Sequence, residues 1–144
     1  MGLLGKFLGG GAAKKPTDDI LLLHAMVLMS AADGYIESAE LATLEAFIDT
    51  LPEFKDADCG AQIAAAKKLS AMFKSSQEAV AALADISSDA VRKKAFVLAA
   101  DIALSSGDVD EAEEELLEAM QRVLGIDDDL ANKILEVLAL KYAR

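Results

Sequence analysis

The sequence predicts an all-α protein, a compact helical bundle of about six to eight helices that contains two pseudo-repeated helix-turn-helix hairpins. Three observations lead there. Ala and Leu dominate a composition that is only 5% aromatic and lacks Trp, which favours helix. From Thr17 onward apolar residues recur three and four apart, and no segment keeps the strand alternation for long. Residues 33–47 also reappear, in altered form, at 106–120. With 144 residues and 53% apolar content, such a chain buries roughly two thirds of its unfolded surface and needs neither disulfide nor metal to fold.

Each element has a local reason. Residues 1–16 carry five glycines among the first eleven positions and end in Pro16; glycine disfavours a helix interior by about 1 kcal/mol, so a weakly structured tail is expected. If that tail coils, Leu3, Leu4, Phe7 and Leu8 share a face with Lys6, Lys14 and Lys15 nearby, a pattern suited to lying against the domain or to a peripheral membrane contact. Residues 17–144 form the expected domain. Thr17 or Asp18 caps a first helix reaching about Ala32, whose run ILLLHAMVLMSAA is apolar all round and therefore buried on most sides. Glu37 to Leu51 places Leu41, Leu44, Phe47, Ile48 and Leu51 on one stripe before Pro52 stops it. Further helices are expected at 58–74, 76–86, 88–105, 110–124, where Gly125 ends the turn, and 127–141. Met26, Met29, Met72 and Met120 fall at apolar positions and read as core.

The repeat has an offset of 73 residues. It aligns DGYIESAELATLEAF with SGDVDEAEEELLEAM, so that Gly34 meets Gly107, Glu37 meets Asp110, Glu40 meets Glu113 and Leu44 meets Leu117. Each copy follows an unusually apolar helix, and two such hairpins packed together would form the centre of the bundle. Gly34 and Gly107 read as left-handed helix caps. The acids that follow have a structural reading as helix caps, with Glu37 or Asp110 at the N-cap and Glu40 or Glu113 completing a capping box.

Charge segregation points beyond capping. The formal charge is -11, which disfavours a nucleic-acid partner, because phosphate binding needs a positive stripe. No Lys or Arg stands between Lys15 and Lys55, or between Lys94 and Arg122, while acids crowd both intervals. Solvated helix faces ordinarily mix signs. Asp33 also follows a helix C-terminus, where the dipole disfavours an anion. A divalent cation, Ca, Mg or Zn, held by carboxylate and carbonyl oxygens would answer that need for a positive countercharge. Asp33, Gly34, Ile36 and Glu40 match only the second half of an EF-hand loop, since Met29 and Ala31 stand where the first ligands belong. The affinity expected is accordingly weak, on the order of 10⁻⁴ M or poorer.

The pattern A-D-G-x-I-x-x-x-E from Ala32 to Glu40, together with DIALSSGDVDEAEEELLEAMQRVLGI from Asp101 to Ile126, resembles the tellurite-resistance TerB family and its TerB-like relatives across about residues 18–141. The resemblance implies a helical bundle of two related halves, metal-binding motif acids, and a place in a tellurite or metal-stress response. It implies protein partners from a Ter-type system, in the cytoplasm and near the inner membrane surface. By position, the motif acids are Asp33, Glu40 and Glu113, with Glu37 and Asp110 as auxiliaries. Ser106 departs from the pattern where Asp is expected, so Asp108 or Asp101 would have to substitute.

Other residues support no enzyme. Cys59 has no neighbouring His or second Cys, His24 reads as a satisfied core histidine, and no phosphate-cradling loop is present. Asp101, within the apolar VLAADIALS, needs a partner, for which Lys94, His24 or a metal are the candidates. Arg92, Lys93 and Lys94, balanced locally by Asp85 and Asp89, read as a solvated helix start or a docking patch for acidic partners rather than a nucleic-acid contact. The expectation is a non-enzymatic protein with an acidic cation site; the alternative is a co-chaperone-like interaction adaptor whose acids only cap helices.

Overall fold

A computed structural model describes residues 16–32, 38–55, 58–105 and 109–143; within these, the side chains of residues 38–41, 43 and 59 are not described. The expected tail at 1–15, the turn residues Asp33, Gly34, Glu37, Ser106, Gly107 and Asp108, and the side chains of Glu40 and Cys59 lie outside this set.

The described residues are all-α. Seven helices follow in order: α1 Asp18–Ser30, α2 Ser38–Asp49, α3 Cys59–Ala71, α4 Ser76–Ala81, α5 Asp89–Ser105, α6 Glu111–Leu124 and α7 Asp128–Lys141. Two 3-10 turns join them, Pro52–Phe54 and Ala82–Asp85. The segment expected as one helix at 76–86 is thus split between α4 and the second turn. Pro52 ends the α2 segment as its missing amide requires, and stands first in its 3-10 turn.

Side chains set the helix starts. The Thr17 hydroxyl accepts from the Ile20 amide (3.3 Å), Asp58 from Ala61 (3.2 Å), Ser75 from Glu78 (3.2 Å) and Asp127 from Leu130 (2.8 Å). Each thereby satisfies an amide that has no partner within its helix. At the end of α6, Gly125 takes φ 71, and the Ile126 amide donates to the Gln121 carbonyl (3.0 Å), as expected of a glycine C-cap.

The core is built around α1. Leu21, Leu22, Leu23, Ala25, Met26, Val27 and Met29 are all buried, so this helix has no solvent stripe and must be surrounded. It packs most heavily on α5 and α3 and also meets α2. In the other half, α5 meets α6 and α7. The contact pattern therefore repeats with the sequence: each apolar helix carries its hairpin partner and a third helix, and the two apolar helices pack on one another. Phe96, Ala99 and Ala103 of α5 are buried, the alanines letting backbones approach closely. Met26, Met29 and Met120 are core as expected, but Met72 is 73% exposed. It lies one residue past α3, at the C-cap, where the helical stripe no longer directs it inward. No helix among the described residues is long and apolar enough to cross a membrane.

Candidate functional site

The second acidic hairpin is described from Val109 onward, and its Asp110 and Glu113 close a capping box. Asp110 Oδ1 accepts from the Glu113 amide (2.8 Å), while Glu113 Oε1 accepts from the Asp110 amide (3.1 Å). Both carboxylates thus stand at the positive end of α6, where the dipole favours them. A carboxylate offers about four lone-pair sites, so a capping bond leaves it able to accept more. Of the remaining residues of the expected cation set, Asp33, Glu37 and Asp108 lie outside the described residues, as does the Glu40 side chain. Among the described residues, no three His, Cys, Asp or Glu side chains gather as a metal group.

What the fold brings together is the ground on which both motifs stand. A groove of about 510 Å³ runs between the end of α1, α4 and α6. Ala31 and Ala32, immediately before Asp33, form one side; Ala112 and Glu115, which flank Glu113, form another. Leu28, Val80, Leu116 and Ala119 give it an apolar floor, while Glu115, Glu118 and Arg122 stand along its α6 bank. The sequence reading missed this groove. Its signal was the pair of small residues at 112 and 119, one heptad apart on α6, facing the alanines that end α1.

Elsewhere the fold neutralises acids that look uncompensated along the chain. Asp101 meets Lys141 Nζ at 2.9 and 3.1 Å and also accepts from the Tyr142 hydroxyl. Neither Lys94 nor His24 is its partner, because both are engaged elsewhere. The hydrogen bond to Asp101 raises the Lys141 pKa, and burial followed by the Asp101 contact raises that of Tyr142. Lys141 also lies over the Phe47 ring, 5.4 Å from its centre, which ties α7 to α2 by a cation–π contact.

Lys94 reaches across to Glu53 (2.5 Å). Burial pushes Glu53 upward, but the Lys94 hydrogen bond and charge prevail and hold it below its ordinary value. Beside it, burial first and then the charges of Glu53 and Asp18 raise Asp19, against Lys94. Asp18 joins the two halves. It accepts from the Ser87 amide (2.9 Å), the Ser87 hydroxyl (3.0 Å) and the Ser88 amide (3.0 Å), and the Ser87 amide leads in lowering its pKa against desolvation.

The cluster Arg92, Lys93 and Lys94 is balanced locally only in part. Lys93 pairs with Asp89 at 3.0 Å, one helical turn away. Arg92 instead donates to the Ile86 carbonyl (2.8 Å) and the Ala84 carbonyl (2.6 Å), clamping the turn that precedes α5.

His24 is fully buried. Its Nε2 lies 2.8 Å from the Ala79 carbonyl and its Nδ1 2.8 Å from the Ser70 hydroxyl. A carbonyl can only accept, so Nε2 carries the proton, and in the neutral ring Nδ1 accepts from Ser70. Desolvation lowers its pKa, opposed by the Ala79 bond. With both nitrogens committed, the chain's single imidazole is withdrawn from metal binding. The donors remaining near the groove are oxygens, a set suited to a hard cation.

No curated protein and no solved structure matches the chain. A family profile does, that described as tellurite resistance protein TerB, over residues 19–135. This span takes in both apolar helices, both acidic hairpins and most of α7, and the protein therefore belongs to the TerB family.

Proposed function

We propose that the protein is a non-enzymatic cytoplasmic module of a tellurite-resistance or metal-stress system, binding a divalent cation weakly where its two acidic hairpins meet. Asp33, Glu37 and Glu40 would supply oxygens from the first copy, and Asp108, Asp110 and Glu113 from the second. The observation that carries the reading is the shared groove: residues adjoining Asp33 and residues flanking Glu113 line one depression, so two incomplete half-sites have a common place to act. Neither copy alone holds enough ligands for calcium. Oxygen-only donors favour Ca or Mg over Zn, which more often takes Cys and His. His24, spent on Ser70 and Ala79, offers no general base, which supports the absence of an enzymatic role. Other Ter-type proteins near the inner membrane surface are the partners this membership suggests.

The capping box favours a second reading, an interaction adaptor whose acids only start helices. The two separate cleanly because Gln at 113 can still accept the Asp110 amide. Calcium, magnesium and zinc titrations followed by backbone NMR should give saturable shifts at Gly34 and Gly107. Those shifts should vanish in Glu40→Gln plus Glu113→Gln while the α6 amides stay unchanged. Absence of any saturable response up to millimolar metal leaves the adaptor.

A further inference from the structure

We propose that the N-terminal segment around Leu3–Leu8 of the same chain docks in the groove between α1, α4 and α6, covering its apolar floor. Two features of the groove select this occupant. Its floor, formed by Leu28, Val80, Leu116 and Ala119, is apolar, and its α6 bank carries Glu115 and Glu118, with Arg122 the one cation among the described lining residues. The segment is complementary in both respects. Leu3, Leu4, Phe7 and Leu8 share one face in a helical register, and residues 1–15 contain Lys6, Lys14 and Lys15 but no acid.

The tether has the length. The described chain starts at Pro16, beside the first turn of α1, and the groove lies at the other end of that 13-residue helix, about 20 Å away at 1.5 Å per residue. The nine residue steps from Phe7 to Pro16 span up to about 30 Å when extended. Gly9, Gly10 and Gly11 impose no side-chain constraint on the path between. Docking in cis also has the advantage of a millimolar effective concentration, which a weak apolar contact needs and a separate peptide lacks. The inference does not depend on the cation reading.

The test is made on the full chain in metal-free buffer. A nitroxide at Gly9→Cys, in a Cys59→Ser background, should cause several-fold loss of amide intensity at Val80, Ala112 and Ala119. Leu4→Ser plus Phe7→Ser in the same chain should restore it. As a label-free arm that keeps Cys59, those two substitutions alone should shift the same three amides and leave α7 unmoved. No selective loss and no shift overturns the proposal. So does loss transferred to unlabelled chains mixed with spin-labelled ones, which assigns the groove to a second copy. So also does binding to phosphatidylglycerol vesicles by a segment that leaves the groove resonances untouched in solution, which assigns it to a lipid surface.

Discussion

His24 shows how one side chain can be wholly committed to structure. Its ring bridges α3, through Ser70, and α4, through Ala79, and Phe73 packs 5.5 Å away. Because the folded pKa lies below the ordinary 6.5, the unfolded chain takes up a proton there first. The neutral ring's contribution is present above about pH 6.5 and is lost as pH falls below it toward the folded pKa. Urea unfolding at pH 7.5 and 5.5 should therefore show lower stability at the acid value. His24→Ala should remove most of this difference and cost about 2–4 kcal/mol at pH 7.5, by leaving Ser70 and Ala79 unpaired beside a cavity. An unchanged pH slope in that variant would place the titration elsewhere. That His24 would be core was legible from its apolar run; its partners, 46 and 55 residues away, were not.

At the scale of elements, the ends of α6 separate capping from cation binding. Asp110→Ala removes the N-cap acceptor and should destabilise by about 1 kcal/mol, whereas Asp110→Asn, which still caps, should fall within a few tenths. Gly125→Ala meets no steric obstacle, since nothing lies within 4 Å of the added carbon. Its φ of 71 still imposes a cost of about 1–2 kcal/mol on any residue with a Cβ. Thermal melts of the three variants check both ends. These features were readable because caps depend on residues three or four apart, a range over which the chain's own geometry decides who meets whom. The split of the 76–86 segment was not readable, because packing against α1 and α6, rather than local period, sets where that element stops; nor was the exposure of Met72, which follows from α3 ending one residue before it.

For the whole molecule, the stability resides in the seam between the two apolar helices. Leu22, fully buried in α1, should cost about 2–5 kcal/mol on substitution by Ala, while Leu140→Ala, at a position 74% exposed on α7, should stay within about 0.5 kcal/mol. Equal effects in chemical unfolding would contradict this distribution. The acidic intervals carry a related lesson. Along the chain they have no cation, yet Lys94 and Lys141 cross to Glu53 and Asp101, so part of the imbalance exists only in one dimension. The α6 acids along the groove keep theirs. Helical periodicity, caps, the all-α class, family membership and the doubling of the hairpin were written in the sequence itself, because they depend on local geometry and on a pattern repeated in one chain. Which lysine meets which acid, what satisfies His24, and the groove that sets the flanks of both motifs side by side were decided by tertiary packing alone. Residues tens of positions apart become neighbours only once α1 is enclosed.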